Sequence, residues 1–405
     1  MDNQKIELLL KLNQQAKRKG RDYLKKRYLF DQLLQEKDTN TIIGISGLRG
    51  SGKTVLLCQL LNQLAAAFYL SADSIDNINL YQLADFLIKN YRIKNLLIDE
   101  VHYLKDWSKQ LKLICDFLKV KIYFTSSISL NILSSGSDLS RRAKIIDLLI
   151  FSFREYLDFK FAQKLPSLTF RDIIKDYQKL FQKFYQQEAY FNDYLSQPLP
   201  FMLDDPSHQL VKQVAEKIIE KDLFYHGNLT RSDIEGMKNI INFIANTPIS
   251  DINYSILSKN IGITKYKAKQ YVDYLEKGYL LKSIFPFSSN VIKEPKIVLT
   301  LPFRQVFNYR LTDEQLKGAL REEFFVQTIS HLNQPLYYLK SKRGVKTPDY
   351  LFIFNKDRYI FEIGGQKKGF SQFKGISDQY NKYVVSYPGV SQSNKIPLIL
   401  FGLLS

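Results

Sequence analysis

The chain has 405 residues, 45% of them hydrophobic, with 58 Lys and Arg against 40 Asp and Glu, a formal net charge of +18. Such a length exceeds a single ordinary core and predicts about two to four domains, while the basic excess favours polyanions such as nucleic acid or anionic lipid near the surface. Part of that excess is bland, because a chain rich in Lys, Asn, Ile and Tyr is also what low-GC coding produces. No stretch approaches the roughly 18 apolar residues of a membrane span, and the N-terminus lacks a basic leader region. Cys58 and Cys115 lie in apolar helical patterns without a neighbouring Cys or His at ligand spacing, so they read as buried thiols of a soluble, cytoplasmic protein.

Taken in chain order, residues 1–40 alternate apolar and charged positions at helical spacing and include a basic block from Lys17 to Arg27, which reads as a solvated helix face or a phosphate-binding arm. Residues 41–152 change to short apolar runs, IIGIS, AFYLS, NLLIDE, KIYFTSS and KIIDLLI, separated by helical segments. Runs of that kind predict strands buried on both faces of a parallel sheet, hence a three-layer α/β domain. Residues 153–246 are helical throughout, with an aromatic stripe in FRDIIKDYQKLFQKFYQQEAYFNDYL that reads as core. Residues 247–300 predict helix, turn at Gly262, N-cap at Thr264, second helix and a β-hairpin, a winged-helix pattern. Residues 301–405 predict a helix followed by strands, a small α/β domain.

The sequence GLRGSGKT at 47–54 matches the P-loop pattern in full and sits where it should, after a strand and at the start of a helix. Gly47, Arg49, Gly50, Ser51, Gly52, Lys53 and Thr54 are therefore the expected ATP-binding set. The loop N–H groups and the helix N-terminus face the phosphates, Lys53 neutralises them and Thr54 ligates Mg²⁺. LLIDE at 96–100 ends a buried strand in two acids, Asp99 for the metal and Glu100 as general base. Thr125, Ser126 and Ser127 close the next strand, and a hydroxyl there, with Ser126 as the named candidate, can sense the γ-phosphate or the attacking water. Arg141 and Arg142 follow a Gly/Ser loop, where a guanidinium can reach transition-state charge in its own subunit or in a neighbouring copy of a homo-oligomer, or can simply be a surface pair.

With these motifs, and with LLIDEVHYLKDW, FTSSISL, DLSRRAKIIDLLIFSFREYL, GALREEFF and YIFEIGG, the chain resembles a family of prokaryotic AAA+-related P-loop ATPases. In that family a winged helix and a C-terminal restriction-endonuclease-like domain of unclear function follow the ATPase. The resemblance implies a P-loop NTPase sheet of the additional-strand, catalytic-glutamate type, and places the family's loop arginine on Arg142. It also places a nuclease-type acid set on Glu322, Asp349 and Glu362. The residue two after Glu362 is Gly364 where such sites carry Lys, and Lys367 or Lys368 on the following turn can substitute. The site is accordingly expected to be a vestigial nuclease site, serving as a nucleic-acid or protein-binding module.

On the second helix of the winged module, Lys265, Lys267 and Lys269 are candidate DNA contacts above an inner stripe of Ala268, Val272 and Leu275, and the same module can instead act as a lid over the nucleotide. The leading reading is a Mg²⁺-dependent ATPase whose nucleotide state repositions the winged helix and the C-terminal domain on DNA or a protein partner. A slow nucleotide-gated switch with little turnover, and an ATP-licensed DNA nuclease, are the alternatives.

Overall fold

The apolar runs of the first third become a sheet because each is long enough to cross a core once; the first four strands are buried on both faces, while the fifth, AKIID at the sheet edge, is only partly covered. In the computed structural model, which describes residues 3–39, 41–74, 78–129, 139, 141–227, 229–287, 294–340 and 347–404, the strands are β1 Ile42–Ser46, β2 Ala67–Ser71, β3 Asn95–Asp99, β4 Lys121–Ser126 and β5 Ala143–Asp147. They are all parallel, in the order β2-β3-β4-β1-β5. Strand β4 is thus inserted between the P-loop strand β1 and the acid-bearing strand β3, which sets the polar end of β4 between phosphate loop and acid pair. The last strand ends three residues earlier than KIIDLLI suggests, since Leu148 to Ile150 lie beyond it. The Gly/Ser loop expected before Arg141 lies outside the described residues.

Helices cover both faces. On one side Leu56, Leu57, Leu60 and Leu61 of the helix Lys53–Gln63 pack with Phe30, Leu33, Ile43, Ile45, Leu97 and Tyr123. On the other, Leu80, Leu83 and Leu87 of the helix Leu80–Tyr91 and Leu111 and Ile114 of the helix Trp107–Phe117 cover Leu96, Ile98 and Phe124. The N-terminal helix Asn3–Asp22 belongs to the same unit and contributes Leu9 and Ala16 to these cores. The five segments expected from the sequence fall into two compact units, residues 1–150 with 221–228, and residues 151–220 with 229–405.

In the second unit helix starts are set by local chemistry. Ser152, Thr169, Thr230 and Thr312 each cap a helix whose third residue bonds back, satisfying two otherwise orphaned amides. The helices Tyr254–Ile261 and Lys265–Lys277 meet at Gly262, φ +73°, and Thr264 caps the second. They lead into an antiparallel hairpin, β6 Leu281–Ile284 and β7 Lys296–Leu299. A second sheet follows with β8 Leu336–Tyr338, β9 Tyr350–Phe354, β10 Asp357–Gly364, β11 Asn381–Ser386 and β12 Lys395–Pro397 in the order β12-β11-β10-β9-β8. Phe170, at the head of the aromatic stripe, packs its ring 5.1 Å from Phe352 and 4.8 Å from Phe354. Phe184, Phe191 and Tyr194 are buried as well, while Tyr185 is exposed, so most but not all of the stripe is core. A fully buried pair, Arg304 Nε to Glu323 Oε1 at 2.7 Å, closes this unit, with Arg304 also donating to the carbonyls of Ile244 and Thr247.

Candidate functional site

The P-loop leaves β1 at Gly47 and turns into the helix Lys53–Gln63 through Gly52, whose φ of +94° is open to glycine and strained for other residues. Lys53 is buried, and its ammonium donates to the carbonyls of Gly47 and Leu48 at 2.8 and 3.1 Å. Burial lowers its proton affinity, while Glu100, Asp99 and Asp222 pull the other way. The Ser51 hydroxyl is buried without a hydrogen-bond partner, a donor inside the loop that a phosphate oxygen would satisfy. The loop is braced from outside by Arg27, which donates to the Ser51 carbonyl at 2.5 Å and to the Leu149 and Ile150 carbonyls at 3.0 and 3.3 Å. The basic block therefore supplies a structural strut as well as an exposed helix face, a role that local periodicity does not mark.

At the end of β3, Asp99 is buried and accepts from Tyr69 Oη at 2.9 Å and from Thr125 Oγ1 at 2.5 Å. Glu100 sits in the left-handed region at φ +51°, where a non-glycine residue is held only if its surroundings over-determine it. They do so here: its amide donates to Thr125 Oγ1 at 2.9 Å, and its carboxylate accepts from the Ser127 amide at 3.0 Å and lies 3.5 Å from His102 Nδ1. The left-handed turn brings the Glu100 carboxylate onto the Ser127 amide just past the end of β4.

All three hydroxyls that end β4 are buried. Thr125 ties the acid pair together, whereas Ser126, the expected sensor, has its hydroxyl 3.3 Å from His102 Nδ1. Ser127 is the most connected, with its amide on Glu100 and its hydroxyl donating to Asp222 Oδ2 at 2.7 Å. Arg142 is engaged with Asp116 at 2.8 Å, so within its own chain the guanidinium is held on the surface helix Trp107–Phe117. Asp222 escaped the sequence reading because it lies more than a hundred residues beyond the P-loop in a helical stretch with no motif around it.

The C-terminal acids do gather, but around lysines. Glu322 accepts from Lys296 Nζ at 2.6 Å and from Tyr350 Oη at 3.0 Å, and Lys296 also lies 3.9 Å from Asp349. Asp349 accepts from the Ile363 amide at 2.8 Å. Lys367 is exposed, and it is Lys368 that pairs with Glu362. The reason is the turn: the Lys368 amide bonds the Gly365 carbonyl, and a Cβ at Gly364 would meet the Lys368 side chain at 2.8 Å, so Gly364 clears the path. Burial, together with the Glu322 charge and against that of Lys296, lifts the Asp349 carboxyl to about 7, and burial likewise raises Glu362.

On the helix Lys265–Lys277, Ala268, Val272 and Leu275 are buried as expected. Of the candidate DNA contacts, Lys265 pairs with Glu294 and Lys267 with Asp233 at 3.4 Å, while Lys269 is exposed and neighbouring Tyr266 is 77% exposed. Among the described residues no helix is long and apolar enough to cross a membrane.

Residues 39–157 match the model of an AAA domain, and residues 200–300 that of a domain of unknown function. The chain is 28% identical over 403 residues to an uncharacterised protein of Methanocaldococcus jannaschii, covering 90% of this chain and 83% of that one. It is 27% identical over 271 residues to an uncharacterised protein of Haemophilus influenzae, covering 62% and 63%. Among solved structures, the Aeropyrum pernix ORC1 protein in complex with DNA aligns with 74% of this chain and 92% of its own at 11% identity and a TM-score of 0.31. AMPPCP-bound DnaA from Aquifex aeolicus aligns with 61% and 86% at 17% identity and a TM-score of 0.25. Likenesses so distant carry nothing about function. Residues 39–157, with their P-loop and the inserted strand β4, are thus similar to an AAA domain and have the parallel P-loop NTPase sheet.

Proposed function

We propose that the chain binds ATP with Mg²⁺ and hydrolyses it, and that the nucleotide state repositions the second unit on DNA or a protein partner. The observation that carries the reading is Glu100, turned out of its strand in a strained conformation and anchored by the Ser127 amide beside the P-loop. Lys53 and the loop amides would hold the phosphates, and Thr54 and Asp99 the metal. Bound Mg²⁺ would neutralise developing phosphate charge. Thr125 keeps Asp99 and Glu100 in register, Glu100 orients a water and accepts its proton, and the β4 hydroxyls hold the polar wall of the site.

The helices Tyr254–Ile261 and Lys265–Lys277 with the hairpin β6-β7 are read as a winged helix, with Lys269 and Tyr266 offering a cation and an aromatic face to nucleic acid. The C-terminal sheet with Glu322, Asp349 and Glu362 is read as a restriction-endonuclease-like module that binds rather than cuts. A slow nucleotide-gated switch is the second reading, favoured by Arg142 being held on Asp116. Phosphate release by the wild type and by Glu100→Gln tests the proposal. ATP binding is expected to persist in the variant while turnover falls at least about 10²-fold. Equal rates would remove the assigned base, and an undetectable wild-type rate with retained nucleotide would favour the switch.

A further inference from the structure

Lys221–Asn228 packs as part of the first unit although the residues on either side of it, Glu220 and Leu229, belong to the second. It begins within a π-helical turn, Ile218–Leu223, a conformation rare in proteins and concentrated at functional sites. That turn delivers one carboxylate, Asp222, which is fully buried. Its partners all come from the nucleotide motifs: Arg49 of the P-loop at 3.1 Å, Tyr103 Oη just after the acid pair at 2.6 Å, and Ser127 Oγ at the end of β4 at 2.7 Å, with His102 Nε2 3.9 Å away.

A single carboxylate therefore holds an arginine of the phosphate loop and a hydroxyl that flanks the assigned general base. Arg49 and the Ser127 hydroxyl are donors that the terminal phosphate of a bound nucleoside triphosphate would also collect. Burial disfavours the charged form of Asp222, but the donors and the Arg49 charge outweigh it and bring the carboxyl down to about 2. It is an anion at any ordinary pH, and two anions cannot share one set of donors in a buried site.

Resting on the ATP-binding reading above, we infer that Asp222 is a specificity-determining residue that competes with the γ-phosphate for Arg49 and Ser127, while Tyr103 anchors Asp222 alone. ATP must displace it, whereas ADP, lacking that phosphate, leaves it in place. Since the segment is covalently joined at both ends to the second unit, its release converts the presence of a γ-phosphate into a change in the chain on either side.

The test is titration of full-length wild type, Asp222→Asn and Tyr103→Phe with ADP and with a non-hydrolysable ATP analogue, each with Mg²⁺. Asp222→Asn keeps the shape and removes the charge, and is expected to raise the ratio of ATP-analogue to ADP affinity at least about tenfold. Tyr103→Phe removes one donor from Asp222 and is expected to shift the ratio the same way by a smaller factor, which keeps the question answerable should Asp222→Asn fold poorly. An unchanged ratio in both variants, or weaker analogue binding, overturns the inference while leaving ATP binding intact. A wild type that binds neither nucleotide overturns both.

Discussion

The amide of Ser127 donates to Glu100 Oε2 at 3.0 Å, and the hydroxyl of Thr125, two residues earlier, receives the Glu100 amide at 2.9 Å. The end of β4 thus grips the assigned base from both its backbone and its side chain. Replacing Thr125 by Val should leave nucleotide binding within a few-fold of wild type, lower turnover about tenfold or more, and destabilise the unit by about 1–3 kcal/mol, since Asp99 and the Glu100 amide each lose a buried partner. Steady-state kinetics with denaturant unfolding checks this, and unchanged turnover would make Thr125 a packing residue only.

Lys53→Ala should abolish ATP binding or nearly so. The ammonium is the buried cation of the loop, held on the Gly47 and Leu48 carbonyls, while the motif's other cation, Arg49, is paired with Asp222. A direct titration showing wild-type affinity would sink the P-loop assignment.

Changing Lys265, Lys267 and Lys269 together to Ala should weaken DNA binding and flatten its log–log salt dependence by about one to two units. Full independence of the three would predict a larger change, but Lys265 and Lys267 already face Glu294 and Asp233. An unaltered slope would favour a lid over the nucleotide.

No robust metal-dependent cleavage of duplex or single-stranded DNA is expected, with or without ATP. Lys296 lies between Glu322 and Asp349, and Lys368 lies on Glu362, so the negative charge that would attract a divalent cation is already matched. Cutting with Mg²⁺ or Mn²⁺ that is lost on Glu362→Ala and on Lys368→Ala would reverse this and make Lys368 the displaced lysine of a working site.

The same cluster carries a pH signature. Asp349, raised to about 7 by burial and by Glu322 against the pull of Lys296, with Glu362 adding to the rise, keeps a proton that the unfolded chain has already released. Its contribution to the stability of the second unit is full below about pH 4, declines above that and is gone once the pH passes about 7. Denaturant midpoints measured from pH 4 to 8 should therefore fall with pH, and Asp349→Asn should flatten the decline. An identical decline in the variant would assign it to other groups.

Much of the first unit is legible in the chain because its signals are local. GLRGSGKT needs only its neighbours to make a phosphate loop, five apolar runs announce five strands, and Gly262 and Thr264 mark the end of one helix and the start of the next within three residues. Even Asp99 and Glu100 stand out, since two adjacent acids closing an apolar strand have few structural reasons to be there. What the sequence could not yield are the partners that arrive from far along the chain. Arg27 under the P-loop, Asp222 on Ser127, Lys296 on Glu322 and the choice of Lys368 over Lys367 follow from how segments pack, and a lone charged residue in a helical or strand pattern reads as a solvated face until something is shown to cover it. Periodicity records which side of an element is buried. Which charge meets which across the core is set by burial geometry, where an unpaired ion is costly enough that the fold brings it a counter-ion from wherever the chain can supply one.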